Sequence, residues 1–142
     1  MVTAEDVLAG KPRALYSIEP DEPVLVAIQL MAQHGVGALL VMKGTELVGI
    51  ISERDYARKV ILMGRSSSDT PVWQIMSSPV LTVAPASSVE YCMDLMTQRR
   101  VRHLPVVEGR GVLGMLSIGD LVRAVLDAQR RQISELEQYI RS

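Results

Sequence analysis

Phenylalanine is missing from this chain, tryptophan occurs once and tyrosine four times. Aromatic rings therefore cannot build the interior, which must consist of Val, Leu, Ile, Met and Ala. Cysteine is as scarce. Cys92 stands alone, which excludes an internal disulfide framework and fits a reducing compartment. With only His34, His103 and Cys92 as soft ligands, no metal-site spacing exists. An excess of either charge is also lacking: 15 Lys and Arg face 16 Asp and Glu. Proteins that grip nucleic-acid backbones carry a large positive surplus, so nucleic acid is not an expected partner. The opening residues lack the basic start and apolar core of a signal peptide, and no apolar run approaches a membrane span. The expectation is a soluble cytoplasmic protein with no membrane partner.

What remains is ordinary globular material: 142 residues, 48% hydrophobic and 22% charged. That suits one compact domain able to bury about two-thirds of its unfolded surface.

An internal repeat organises the chain. Shifted by 65 positions, Val24 falls on Val89, Leu30 on Leu95, Met31 on Met96 and Leu39 on Leu104. Gly44 falls on Gly109, Gly49 on Gly114, Ser52 on Ser117, Asp55 on Asp120 and Arg58 on Arg123. The register holds without a gap from Leu15 to Leu62, a signature of tandem duplication. Each copy reads β-α-β-β-α. Ala14–Ile18 and Val80–Val83 are short apolar strands stopped by Pro20 and Pro85. The next helix opens near Pro23 and closes at Gly35 in the first copy. In the second it opens on Ser87-x-x-Glu90, which resembles a capping box. Two strands follow in each copy, Gly37–Met42 to Leu47–Ile51 and His103–Val107 to Val112–Leu116. Their turns carry Gly44 and Gly109, where a positive φ is tolerated. A further helix opens at Ser52 or Ser117. Thr3-x-x-Asp6 starts a short helix ahead of the first copy and Gly10 ends it. Thr70 and Pro71 start another, running through Met76, ahead of the second.

The motif that carries chemistry is Gly49-Ile50-Ile51-Ser52-Glu53-Arg54-Asp55, repeated as Gly114-Met115-Leu116-Ser117-Ile118-Gly119-Asp120. In one reading Ser is the N-cap and Asp the third helical residue, and the pair only caps a helix. In the other, the helix N-terminus offers unpaired N–H groups and partial positive charge to a phosphate. The ionised Asp, which only accepts hydrogen bonds, then suits the neighbouring hydroxyls of a ribose. Recurrence in both copies favours the second reading.

The doubled unit, the Gly-h-h-Ser-x-x-Asp ending (h apolar), the strand Arg102-His103-Leu104-Pro105-Val106 and the lead-in Val72-Trp73-Gln74-Ile75-Met76 resemble a pair of cystathionine-β-synthase (CBS) domains, a Bateman module. The resemblance runs from about Val7 to Leu126. It implies an α/β (α+β) fold of tandem β-α-β-β-α repeats about a pseudo-twofold axis. Residues 1–65 would be the first repeat with its N-terminal helix. Residues 66–142 would be the second, with a lead-in helix and an extended C-terminal helix, and the two would form one module. It also implies clefts between the copies for adenosine-containing ligands: AMP, ADP, ATP, NAD or S-adenosylmethionine. By position, one cleft would take Ser117 and Asp120 with Ser17 and Ile18, and the other Ser52 and Asp55 with Thr82 and Val83. Ile50 or Met115 would face the adenine, whose edge the family reads through first-strand backbone groups. Gly37, Ala38, Arg102 and His103 would also reach ligand, with Arg102 and His103 as phosphate contacts and Arg54 serving the first helix start.

The copies are not equivalent. Arg99, Arg100, Arg102 and His103 stand where the first copy has His34, Gly35, Gly37 and Ala38, so the clefts are not expected to share ligand or affinity. Cys92, aligned with Ala27 on an apolar helix face, reads as a packed core thiol. Leu121, Val122, Val125, Leu126, Ile133, Leu136 and Ile140 form an intermittent stripe on a long last helix, suited to a homodimer partner or to the module itself. No nucleophile–base pair is evident. The expectation is a regulatory, non-enzymatic sensor of adenine nucleotide with no required cofactor and an unidentified regulated protein. The alternative is a dimerisation module with vestigial clefts.

Overall fold

The structure, a computed structural model, describes residues 1–12 and 14–141. Arg13, inside the first expected repeat span, and Ser142, at the end of the second, lie outside the described residues. Along the chain run α1 (Ala4–Ala9), β1 (Ser17–Ile18), α2 (Val24–His34), β2 (Ala38–Lys43), β3 (Glu46–Ser52), α3 (Glu53–Tyr56), α4 (Val89–Arg99), β4 (His103–Glu108), β5 (Gly111–Ser117) and α5 (Ile118–Arg141). A wide-turn π-helical stretch, Ala57–Ile61, continues α3, and a 3-10 turn, Val72–Gln74, precedes the second repeat. Two compact units result: Ala14–Leu81 with Arg110–Val112, and Met1–Arg13 with Thr82–Gly109 and Leu113–Ser142.

The first unit is built on the sheet β1-β2-β3. β2 buries Ala38, Leu39, Leu40 and Val41 in succession, as a strand covered on both faces does. It runs parallel to β1, with Ser17 beside Leu40, and antiparallel to β3, with Ala38 opposite Ser52. α2 lays Val24, Ala27 and Met31 onto this sheet, the helical spacing of one buried stripe. Ile18, Val41, Ile51, Val60, Val72 and Ile75 complete the core. Gly35 ends α2 at φ 65°, the left-handed cap that glycine adopts without strain.

The second unit holds the sheet β4-β5, with α4 and α5 packed together and α1 packed on α5. α1 keeps the expected capping box: Thr3 Oγ1 accepts from Asp6 N at 3.3 Å and Asp6 Oδ2 from Thr3 N at 2.9 Å. It is tied to the second repeat by Ala4 N–H to Ser87 O (2.8 Å) and Glu5 N–H to Pro85 O (2.9 Å). Cys92 is fully buried and burial pushes its thiol pKa up, as befits a packing group.

Several local expectations shift. Pairing of β1 begins only at Tyr16, whose carbonyl accepts from Leu40 N, so residues 14–16 add no strand of their own. In the stretch Val80–Val83 only Val83 pairs, in parallel with Val106. The cap of α4 is Ser88, which accepts from Tyr91 N at 3.0 Å, because the hydroxyl of Ser87 is used by Ala84 N at 3.0 Å. Pro23 is the N-cap residue of α2, not its first turn.

Candidate functional site

Both repeats aim a serine and an aspartate at the start of a helix, and in both the backbone fixes the carboxylate. In the first, Asp55 Oδ2 accepts from Ser52 N (3.0 Å) and Ser52 Oγ (3.0 Å), while Ser52 Oγ accepts from Asp55 N at 3.2 Å. In the second, Asp120 Oδ2 accepts from Ser117 N at 2.9 Å and Ser117 Oγ from Asp120 N at 3.1 Å. Gly49 and Gly114, three residues before these serines, have no room for a side chain. A Cβ on Gly49 would lie 2.5 Å from Met76 Sδ, and one on Gly114 2.7 Å from Leu8 Cδ2. Leu8 lies ahead of the first repeat and Met76 ahead of the second, so each motif glycine is where the other repeat's lead-in closes onto the sheet.

Around the first pair, Gly37 and Ala38 come directly alongside: Glu53 N–H donates to Gly37 O at 3.0 Å and Ala38 is the register partner of Ser52. Arg54 occupies the first turn of α3 and Ile50 is half-buried on β3. Ser17 is exposed on β1, but the side chain of Ile18 is only 5% exposed and belongs to the core. Only its backbone can meet a ligand. Around the second pair, Arg102 adjoins α5 through Ile118 N–H to Arg102 O (2.9 Å), and His103 begins β4. Met115 is half-buried, Thr82 exposed, and Val83 buried at 4%. The expected residues thus divide between the two units: Ser17, Ile18, Gly37, Ala38, Ile50, Ser52, Arg54 and Asp55 in one, and Thr82, Val83, Arg102, His103, Met115, Ser117 and Asp120 in the other.

The two carboxylates differ in their counter-ions. Lys59 Nζ, one turn along, lies 3.2 Å from Asp55 Oδ1 and also donates to Ile75 O at 2.9 Å. Asp120 is held harder: Lys11 Nζ donates to Oδ2 at 2.7 Å and Arg123 Nη2 to Oδ1 at 2.8 Å, while the side chain is 8% exposed. Burial alone would raise its pKa, but the hydrogen bonds from Lys11 and Ser117 and the Lys11 charge outweigh it and hold the carboxyl below its ordinary value. His103 titrates lower than usual: burial disfavours its cation, Asp120 partly opposes this, and Lys11 and Arg102 add to it. At neutral pH the imidazole is therefore uncharged. Of the expected phosphate contacts in this repeat, only Arg102 carries formal charge.

Lys11 and Lys59 were not among the residues singled out by sequence. Lys59 is an ordinary i,i+4 partner of Asp55 and could have been found by that spacing. Lys11 could not be found by spacing, since 109 positions separate it from Asp120. In the first unit Ser77 pairs with Ile50 on β3, its N–H donating to Ile50 O at 2.8 Å. In the second, the carbonyl of Met115 accepts from Lys11 Nζ at 2.8 Å, and the same ammonium reaches Asp120.

A cavity of about 640 Å³ opens beside Asp120, lined by Val7, Lys11, Arg123, Asp127 and Arg131 among others. Another, about 460 Å³ and largely apolar, lies against Met31, Val36, Gly37 and Tyr56 in the other unit. Among the described residues no helix is long and apolar enough to cross a membrane.

Comparison with known proteins gives a consistent picture. The model of the CBS domain family matches residues 4–61 and again 72–127. The chain is 48% identical over 125 residues to the mitochondrial CBS domain-containing protein CBSX3 of Arabidopsis thaliana. That match covers 84% of this chain and 61% of the plant protein. Among solved structures, a putative signal-transduction protein with CBS domains from Burkholderia ambifaria superposes with a TM-score of 0.87 at 47% identity, covering 90% of this chain and 96% of that one. The CBS domain pair of protein MJ0100, solved in complex with 5-methylthioadenosine and S-adenosyl-L-methionine, shares the fold (TM-score 0.80, 20% identity, 90% and 98% coverage).

Proposed function

Starting from the chain's membership of the CBS domain family, we propose that it is a regulatory module whose repeats bind adenosine-containing ligands, each through a ribose held by Asp55 or Asp120. The observation that carries this reading is the duplicated carboxylate, locked by its serine N–H at 3.0 Å in one repeat and 2.9 Å in the other. A fixed acceptor beside a helix start suits a vicinal diol with a phosphate next to it. The MJ0100 pair, named with two adenosine compounds, supports the ligand class. AMP, ADP, ATP, NAD and S-adenosylmethionine are the compounds to try. The module acts by binding, not by turnover, and passes its ligand state to a regulated protein. A reducing compartment such as the cytoplasm suits the unpaired buried thiol of Cys92.

A thermal-shift panel of these ligands tests the reading. A ligand at one hundred times its Kd stabilises the fold by about 2.7 kcal/mol, and that gain disappears for the sites removed by Asp55→Ala and Asp120→Ala. A well-folded protein that no adenosine compound stabilises contradicts it.

A second reading has its own observation. Both carboxylates already have cationic partners and both complete a helix cap, which a purely structural module would also show. That reading centres on self-association through α5, where Ile133, Leu136 and Ile140 are exposed. The two functions are compatible, and a homodimer is part of the proposal.

A further inference from the structure

We propose that Lys11 is a built-in competitor for the second ribose site: its ammonium occupies Asp120, and a ribose diol gains that carboxylate only by displacing it. The inference rests on the nucleotide-binding reading above and adds to it the regulation of one site by the N-terminal segment. Its first support is hydrogen-bond capacity. A carboxylate oxygen offers two lone pairs. Asp120 Oδ2 already accepts from Ser117 N at 2.9 Å and Lys11 Nζ at 2.7 Å, and Oδ1 accepts from Arg123 at 2.8 Å. Arg123 is 72% exposed on its own helix and can swing into solvent, whereas Lys11 is 32% exposed and also anchored on Met115 O. Lys11 is therefore the partner that a diol engaging both carboxylate oxygens must remove.

The second support is asymmetry between repeats of one ancestry. Asp55 is met by Lys59, a residue of the same helical segment at 3.2 Å, and keeps more exposure than Asp120 (14% against 8%). Asp120 is met by a residue 109 positions away in sequence, on the N-terminal segment just past α1. Lys11 is fixed there by its second bond, to Met115 O at 2.8 Å. The segment also carries α1, fixed to the second repeat by the bonds of Ala4 and Glu5. Anything that loosens α1 releases Asp120, and anything that binds Asp120 loosens Lys11. The second site is thereby the more tightly guarded of the two.

The test is calorimetric titration of the full chain in an Asp55→Ala background, which leaves the second site to be read, with adenosine, AMP and ATP as probes. Lys11→Met removes the competing charge. Lys11→Gln also removes it while keeping a donor for the Met115 carbonyl, and melting curves establish that each variant folds. Adenosine and AMP should bind both variants about tenfold tighter, the size expected for one charge-assisted hydrogen bond lost from the free protein. Adding Asp120→Ala should abolish the binding. Unchanged affinity overturns the proposal. So does weakening that grows from adenosine to ATP, which would make Lys11 a phosphate contact. Absence of binding by every variant, including those with Asp55 intact, instead overturns the nucleotide reading itself and the competitor with it.

Discussion

Leu8 sits directly over Gly114, its Cδ2 2.7 Å from where a Cβ on that glycine would be. The contact joins α1 to β5 and gives the motif glycine a packing role. Gly114→Ala should therefore cost about 1–3 kcal/mol, the usual penalty for an overfilled core, measured by urea unfolding. In a Leu8→Ala background most of that penalty should vanish, because the crowded atoms are gone. Equal costs in both backgrounds would show that Leu8 is not the obstacle.

Arg100 ends α4 at φ 55°, where Gly35 ends α2 at φ 65°. A left-handed conformation costs a side-chain-bearing residue about 1–2 kcal/mol. Replacing it by glycine returns part of this, less the extra entropy of the unfolded chain. Arg100→Gly should raise stability by up to about 1 kcal/mol, and Gly35→Ala should lower it by about as much or more. Melting temperatures of the two variants decide the matter.

These two cases show what the sequence could and could not disclose. The 65-residue register located the four long strands to within a residue or two, because short apolar runs parted by turn glycines are local signals. Arg100 was aligned with Gly35 by that register, yet its strain is a property of the backbone. The serine–aspartate pairs were legible for the same local reason: a cap lies within four residues. Lys11 was not, since its partner Asp120 lies 109 positions away in sequence. The shift of the α4 cap from Ser87 to Ser88 depended on which hydroxyl Ala84 N used first.

Acid should weaken the protein in two steps. His103 and Asp120 both titrate below their ordinary values in the folded state. A depressed pKa contributes stability that is present above the unfolded value and lost as pH falls through the folded one. For His103 the loss begins near the ordinary imidazole value, about 6.5. For Asp120 it begins near the ordinary carboxyl value, about 3.9. Chemical unfolding from pH 8 to pH 3 should show a fall in stability below about 6.5 that His103→Gln removes. A slope through that range unchanged by the substitution would assign it to other groups.

The exposed stripe of α5 has the spacing of a helix seam: Val122, Leu126, Ile133, Leu136 and Ile140 recur at threes, fours and sevens along one face. Leu136→Glu places a charge in that seam. If two copies pair through it, light scattering should show the dimer shift to monomer at micromolar concentration, with the melting of each repeat little changed because Leu136 is exposed. A dimer indifferent to the substitution would place the interface elsewhere.

The segregation of α1 with the second repeat also sets an order of events for the nascent chain. Ala14–Leu81 is almost a contiguous unit and can bury Ile18, Val24, Leu39, Val60 and Ile75 among themselves once synthesised. The segment through Lys11 is made ahead of this unit but has no partner until residues 82–121 emerge, and its bond to Asp120 closes a loop of 109 residues. Contacts of such separation form late and slow folding in proportion to their share of the whole. Residues made ahead of the first unit are thus among the last to find their place, and the charge that guards Asp120 arrives only after the second unit has been made.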